Sequence, residues 1–145
     1  MTDRRAVEVQ LYRAETGASR VHILTLLSPQ RPALDRFVLV ERDRDAALIA
    51  CDGCPLDAPL GRGAPQPVPA QTLAMFLFEL RSVSAAWSED CISEDAHDGI
   101  TIIVERAEQD LYRRTRMVDP PVNSAHARLV DAWKNAFPAV RRVLR

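Results

Sequence analysis

GITIIVERAEQDLYRRTRMVDPP, residues 99–121, is the stretch whose reading decides the fold class. Ile100, Ile102 and Val104 share one face of a strand running from Gly99 to Arg106, the period of two expected of extended chain. Glu108-Gln109-Asp110 turns the chain, and Leu111 to Val118 forms the next strand. So short a link makes an antiparallel hairpin. Asp119-Pro120-Pro121 stops it, because proline has no N–H to give to a ladder. Asn123 or Ser124 then caps a final helix, along which Leu129, Trp133, Phe137, Val140 and Leu144 make one apolar stripe. Pro138 removes a backbone donor and crowds Lys134, predicting either a kink or a second short helix with Pro138 in its first turn.

Working upstream, residues 88–98 make an acidic loop containing Glu89, Asp90, Glu94, Asp95 and Asp98. Ala70 to Trp87 carries Leu73, Phe76, Leu77, Leu80, Val83 and Trp87 at spacings of three and four, a helix with a core-facing stripe. Residues 52–69 hold Gly53, Gly61, Gly63 and five prolines, so no regular structure is expected there. Ahead of it lie two strands joined by Asp43-Arg44-Asp45: Arg36–Arg42 and Ala46–Cys51. Arg20–Leu27 is apolar on both faces and reads as a central strand, ended by Pro29 and Pro32. At the N-terminus, Val7, Val9 and Leu11 alternate with Glu8, Gln10 and Tyr12, predicting a half-buried strand before a turn at Glu15–Ala18. The order ββββαββα gives an α+β fold: a six-stranded, mainly antiparallel sheet with two main helices packed on one face. One domain is expected over residues 1–145.

The bulk numbers narrow the function. A net charge of −1 argues against nucleic acid as a partner. No apolar run reaches membrane-spanning length, and the N-terminus lacks the apolar core of a signal peptide. A cytoplasmic protein is the expectation, and the odd count of three cysteines agrees with a reducing compartment.

Cys51-Asp52-Gly53-Cys54 is the one local motif with chemical character. Two cysteines three apart can chelate zinc or cycle as a dithiol. Zinc would need Cys91 and His97 as further ligands, at a spacing that matches no standard module. Dithiol chemistry favours a helix N-terminus, whereas this motif follows a strand. The expectation is a buried Cys51, a turn at Asp52-Gly53, a Cys54 with no special role, and neither metal nor cofactor. His22, His97 and His126 show no paired ligand spacing, and no nucleophile elbow, phosphate loop or dinucleotide fingerprint occurs.

Charge is segregated instead. Arg113, Arg114 and Arg116 crowd one strand, with Arg106 on the facing one, and the acidic residues Glu89, Asp90, Glu94 and Asp95 lie just upstream. Arginines on a strand grip carboxylates and phosphates in a bidentate manner. Segregated charge steers association and selects partners. These residues therefore predict a non-catalytic protein that binds another protein, by analogy of size and architecture a bacterial immunity protein or inhibitor. A free edge on the first or sixth strand would allow a homodimer. The alternative is a small enzyme or ligand-binding protein with a pocket between the sheet and the 70–87 helix, lined by Tyr112, His22, Cys51 and arginines.

Overall fold

The computed structural model describes residues 3–92 and 99–144. The chain starts with a helix, α1 (Arg4–Thr16). It continues through β1 (Arg20–Leu27), β2 (Ala33–Glu41), β3 (Ala46–Pro55) and β4 (Ala64–Pro67). Helix α2 (Ala70–Arg81) and a 3₁₀ segment (Ser84–Ser88) follow, then β5 (Cys91–Ile92), β6 (Thr101–Glu108), β7 (Leu111–Val118), α3 (Ala125–Ala136) and α4 (Pro138–Val143). The α+β class holds, but among the described residues the sheet has seven strands in the order β4-β3-β2-β1-β6-β7-β5, and β5 runs parallel to β7.

The first expected strand is a helix, for a local reason. Asp3 accepts a hydrogen bond from the backbone N–H of Arg5 at 2.9 Å, and Gly17 closes the helix at φ 70. These are an N-cap and a left-handed C-cap. Arg5, Val9 and Tyr12, spaced four and three apart, pack on the sheet, and Gln10 reaches the Glu108 and Leu111 carbonyls at its edge of the helix. Val7 and Leu11, which made the alternation look like a strand, are exposed. Val9 is fully buried against Val21, Ile23, Val38 and Val40, a burial that contributes about 2 kcal/mol.

The helices consequently lie on both faces, not one. Opposite α1, helices α2, α3 and α4 cover Leu24, Leu26, Phe37, Leu39, Val104 and Met117. Phe76 of α2 sits at the centre of that layer, with ring centroids 5.1 Å from Trp133 and 5.3 Å from Phe137. Ser124 caps α3 by accepting from the Ala127 N–H at 3.1 Å, and Pro138 occupies the first turn of α4. The expected 70–87 helix ends at Arg81 and continues only as the 3₁₀ segment.

The proline-rich stretch is also more ordered than its composition suggests. Ala64–Pro67 pairs with Ala47–Ala50 as an edge strand, a place in a sheet where prolines need cost no ladder bond. Gly63 permits this approach. At φ 132 its backbone favours glycine, and a Cβ there would collide with the Ala50 carbonyl oxygen. The edges expected to be free differ as well: residues 7–11 are not a strand, and β7 is paired at Met117 and Val118 with β5.

Candidate functional site

Helix α1 covers only part of its face of the sheet. Beyond its first turn, Thr25 of β1, Arg36 of β2, Ile103 and Glu105 of β6 and Arg114 of β7 floor an open cleft of about 600 Å³. Arg5 and Glu8 form one wall and the Leu56–Ala58 loop the other. Alternation within the strands explains the set. Thr25, Arg36 and Glu105 stand on the same face as Ile23, Val38 and Ala107, which lie beneath the helix.

Glu105 is the cleft's fixed point. It is buried, and its carboxylate accepts from Arg5 Nε at 2.7 Å, from Arg5 Nη2 at 2.9 Å and from the Tyr112 hydroxyl. This bidentate clasp joins α1 to the sheet and neutralises Arg5. It holds the Arg5 guanidinium more firmly protonated than usual, through the hydrogen bond to Glu105. Burial, reinforced by Glu105, pushes the Tyr112 hydroxyl well above its ordinary range.

Arg36 is the opposite case. It is 4% exposed and forms no ion pair with any carboxylate among the described residues. Its Nη1 donates to Ala58 O at 3.2 Å and its Nη2 to Pro59 O at 2.6 Å, while its Nε has no partner. Burial, and then the charge of Arg5, lower its pKa from the usual arginine value. The hydroxyl of Thr25, also buried in the cleft floor, is likewise unpartnered. Buried polar groups are normally satisfied, and a buried cation without an anion is costly.

The sequence-based site is only partly assembled. Arg114 lines the cleft, and Arg116 is exposed on the same side of β7. Arg106 and Arg113 are paired neighbours on the opposite face, so the sheet divides the arginine group. Arg106 is occupied by Glu108 and its Nε is buried without a partner. Glu89 contributes its carbonyl rather than its carboxylate, accepting from Thr115 Oγ1 at 3.2 Å and lying 2.7 Å from His126 Nε2. Asp90 Oδ1 accepts from the Arg116 backbone N–H at 2.9 Å. Among the described residues no acidic side chain pairs with the guanidinium of Arg113, Arg114 or Arg116. Glu94 and Asp95 lie outside the described residues, as does His97.

The expected pocket on the α2 side is not where the cleft lies, and of its expected lining only an arginine, Arg114, contributes. His22 is packed in the core, edge-on to Phe76 and 2.7 Å from Glu41, which also accepts from Arg20 at 2.8 Å. Burial lowers the His22 pKa in spite of Glu41, so the ring is neutral and its Nε2–H donates to the carboxylate. Burial raises the Glu41 pKa, but His22 and Arg20 outweigh it and hold the carboxyl below its usual range.

Cys51 and Cys54 form a disulfide. Cys51, expected to be buried, is half-buried, while Cys54, to which no special role was given, is 1% exposed. The odd-cysteine argument for a reducing compartment therefore loses its footing, since one pair is bonded and only Cys91 is free. No helix among the described residues is long and apolar enough to cross a membrane. Among those residues no three His, Cys, Asp or Glu converge as a metal site. No family model matches the chain, and comparison with curated proteins and with solved structures finds no similar protein.

Arg5, Thr25, Arg36 and Glu105 were not picked out from the sequence. Two of them carried a signal. Arg36 and Glu105 each share a strand face with residues that face the core, and a charge at such a position needs a partner or a purpose.

Proposed function

We propose that this is a non-catalytic binding protein whose α1-side cleft receives a carboxylate-bearing segment of a partner protein. The observation that carries the reading is the cleft floor, where the buried Arg36 guanidinium of β2 lacks a paired anion and Arg114 lines the same cleft from β7, unpaired among the described residues. Arg5 is already neutralised by Glu105. An incoming carboxylate would meet positive charge at the buried Arg36 and the exposed Arg114, and guanidinium–carboxylate hydrogen bonds are among the stronger ones. Asp57 and Glu8 at the walls would repel a uniformly acidic ligand and favour one that places its charge over the floor. An immunity or inhibitor role, in which the partner is a toxin or enzyme, is the form of this proposal that the sequence suggests.

A second reading has its own support: a volume of about 600 Å³ also suits a small organic anion. One experiment addresses both. The anisotropy of a fluorescein-labelled decapeptide of neutral residues with two central glutamates is followed as the protein is added, with citrate as competitor. The proposal predicts salt-sensitive binding that weakens about tenfold or more in Arg114→Glu and is unchanged in Arg141→Glu on the far helix. Displacement by citrate at concentrations well below those expected from ionic strength alone favours the small-anion reading. Equal loss in both charge reversals would sink both.

A further inference from the structure

We propose that Cys51–Cys54 is an exchangeable disulfide, with Cys51 as the sulfur attacked by an incoming thiol and Cys54 as the leaving group held by Arg36. The inference does not depend on the cleft receiving a carboxylate.

The two sulfurs differ in access. Cys51 is half-buried at the end of the regular part of β3, while Cys54 is 1% exposed. Of the two, Cys51 is therefore the residue more accessible to an incoming thiolate. They differ also in electrostatics. The Arg36 Nη2 lies 4.0 Å from Cys54 Sγ, and Arg36 is the buried guanidinium that pairs with no carboxylate among the described residues. In the disulfide both sulfurs are neutral, and that cation has no anion in contact with it among the described residues. A Cys54 thiolate would supply the missing anion at the same place. A neighbouring arginine lowers a thiol's pKa, and a lower leaving-group pKa speeds displacement.

The turn is built to stay in place while the bond opens. Asp35 sits at a register shift in β2 and accepts the Gly53 N–H at 2.8 Å, and Arg31 lies 3.5 Å from the same carboxylate. Arg36 itself anchors the loop that follows through the Ala58 and Pro59 carbonyls. These contacts do not involve the sulfur–sulfur bond, so the reduced form keeps its frame.

The chemistry balances with thiol as the only co-reactant. A thiolate RS⁻ attacks Cys51 Sγ, a new S–S bond forms to it, and the bond to Cys54 breaks. Cys54 departs with the electron pair as a thiolate beside Arg36. A second RS⁻ attacks the sulfur of R, releasing Cys51 as a thiolate and RSSR as product. Two thiols are thereby oxidised and the protein disulfide is reduced by two electrons; of the two protons the thiols gave up, one passes through solvent to Cys51 and the other stays with solvent, leaving Cys54 as the thiolate.

The test uses the full-length oxidised protein carrying Cys91→Ser, so that the remaining free thiol does not contribute. It is treated with reduced glutathione without denaturant, quenched by alkylation, and read by intact mass and peptide mapping. Expected are a mixed disulfide on Cys51, complete reduction at higher glutathione, and reversal by oxidised glutathione. Arg36→Gln should slow the first step about tenfold, and Arg36→Lys should recover most of the rate. Should Arg36→Gln fail to fold, the site of the mixed disulfide in the Arg36-containing protein decides alone. A bond that resists glutathione until the protein is unfolded, a mixed disulfide on Cys54, or an unchanged rate in folded Arg36→Gln would each overturn the proposal. None of these readouts requires the acidic peptide, so failure here is distinct from failure of the binding reading.

Discussion

Glu105→Gln should cost this protein a large part of its stability, because one buried carboxylate joins the N-terminal helix to the sheet. Glu105 is 2% exposed and accepts three hydrogen bonds, two from Arg5 and one from Tyr112. A hydrogen bond to a charged group contributes about 1.5–3 kcal/mol when a buried partner is removed. The three do not add, and two considerations lower their sum. The Arg5 side chain is 30% exposed, so water takes over part of its hydration. The glutamine carbonyl also retains one acceptor. The expected loss is about 2–3 kcal/mol by urea denaturation, or a fall in Tm of about 6–10 °C for a chain of this size. Tyr112→Phe alone should cost about 1 kcal/mol, and the double variant should lose about 1 kcal/mol less than the sum of the singles. A Glu105→Gln loss below about 0.5 kcal/mol, or strict additivity with Tyr112→Phe, would refute the claim that this carboxylate fixes α1 in place.

Two further outcomes follow from other parts of the molecule. The folded-state pKa of His22 lies below the ordinary value of 6.5 because of burial, so below that value the unfolded chain binds a proton the native state refuses. Stability should therefore decline as pH falls from about 7 towards 5, with the lowered Glu41 pKa extending the loss to more acid conditions. His22→Gln should flatten the upper part of that slope in urea titrations across pH, and an unchanged slope would count against a neutral buried His22. Gly63→Ala forces a Cβ into the Ala50 carbonyl oxygen and a strained φ. It should destabilise by about 2–4 kcal/mol and open residues 56–67 to limited proteolysis, whereas a cleavage rate equal to the unmodified protein would argue that β4 is not docked as described.

Much of this architecture was legible in the residues, and the parts that were not have physical causes. The β6–β7 hairpin, β1 to β3 and α3 followed their hydrophobic periods, and Ser124 and Pro138 acted as their chemistry dictates. Helix α1 was misread because Val7 and Leu11 mimic strand alternation while standing exposed. The decisive marks were the cap at Asp3 and the glycine at 17, which outrank a short alternating run. Strand β4 was hidden because prolines report against a ladder in general, yet an edge tolerates them. The arginine group was legible as residues but not as a site. Alternation along β7 and its register with β6 send Arg114 and Arg106 to opposite faces, and only the position of α1 decides which face stays open. The cleft joins Arg5, Arg36 and Arg114 across three distant segments, a juxtaposition that no spacing in the chain encodes.

The central claim is that the open floor beside α1 is where an anion binds. Titrating ¹⁵N-labelled protein with the same two-glutamate decapeptide and following backbone amides tests it most directly. The account predicts that Thr25, Arg36, Ile103 and Arg114 shift together and saturate at low salt, and that the shifts vanish in Arg114→Glu. Non-saturating shifts spread over Arg106, Arg113 and the basic α4, with those four amides still, would contradict it.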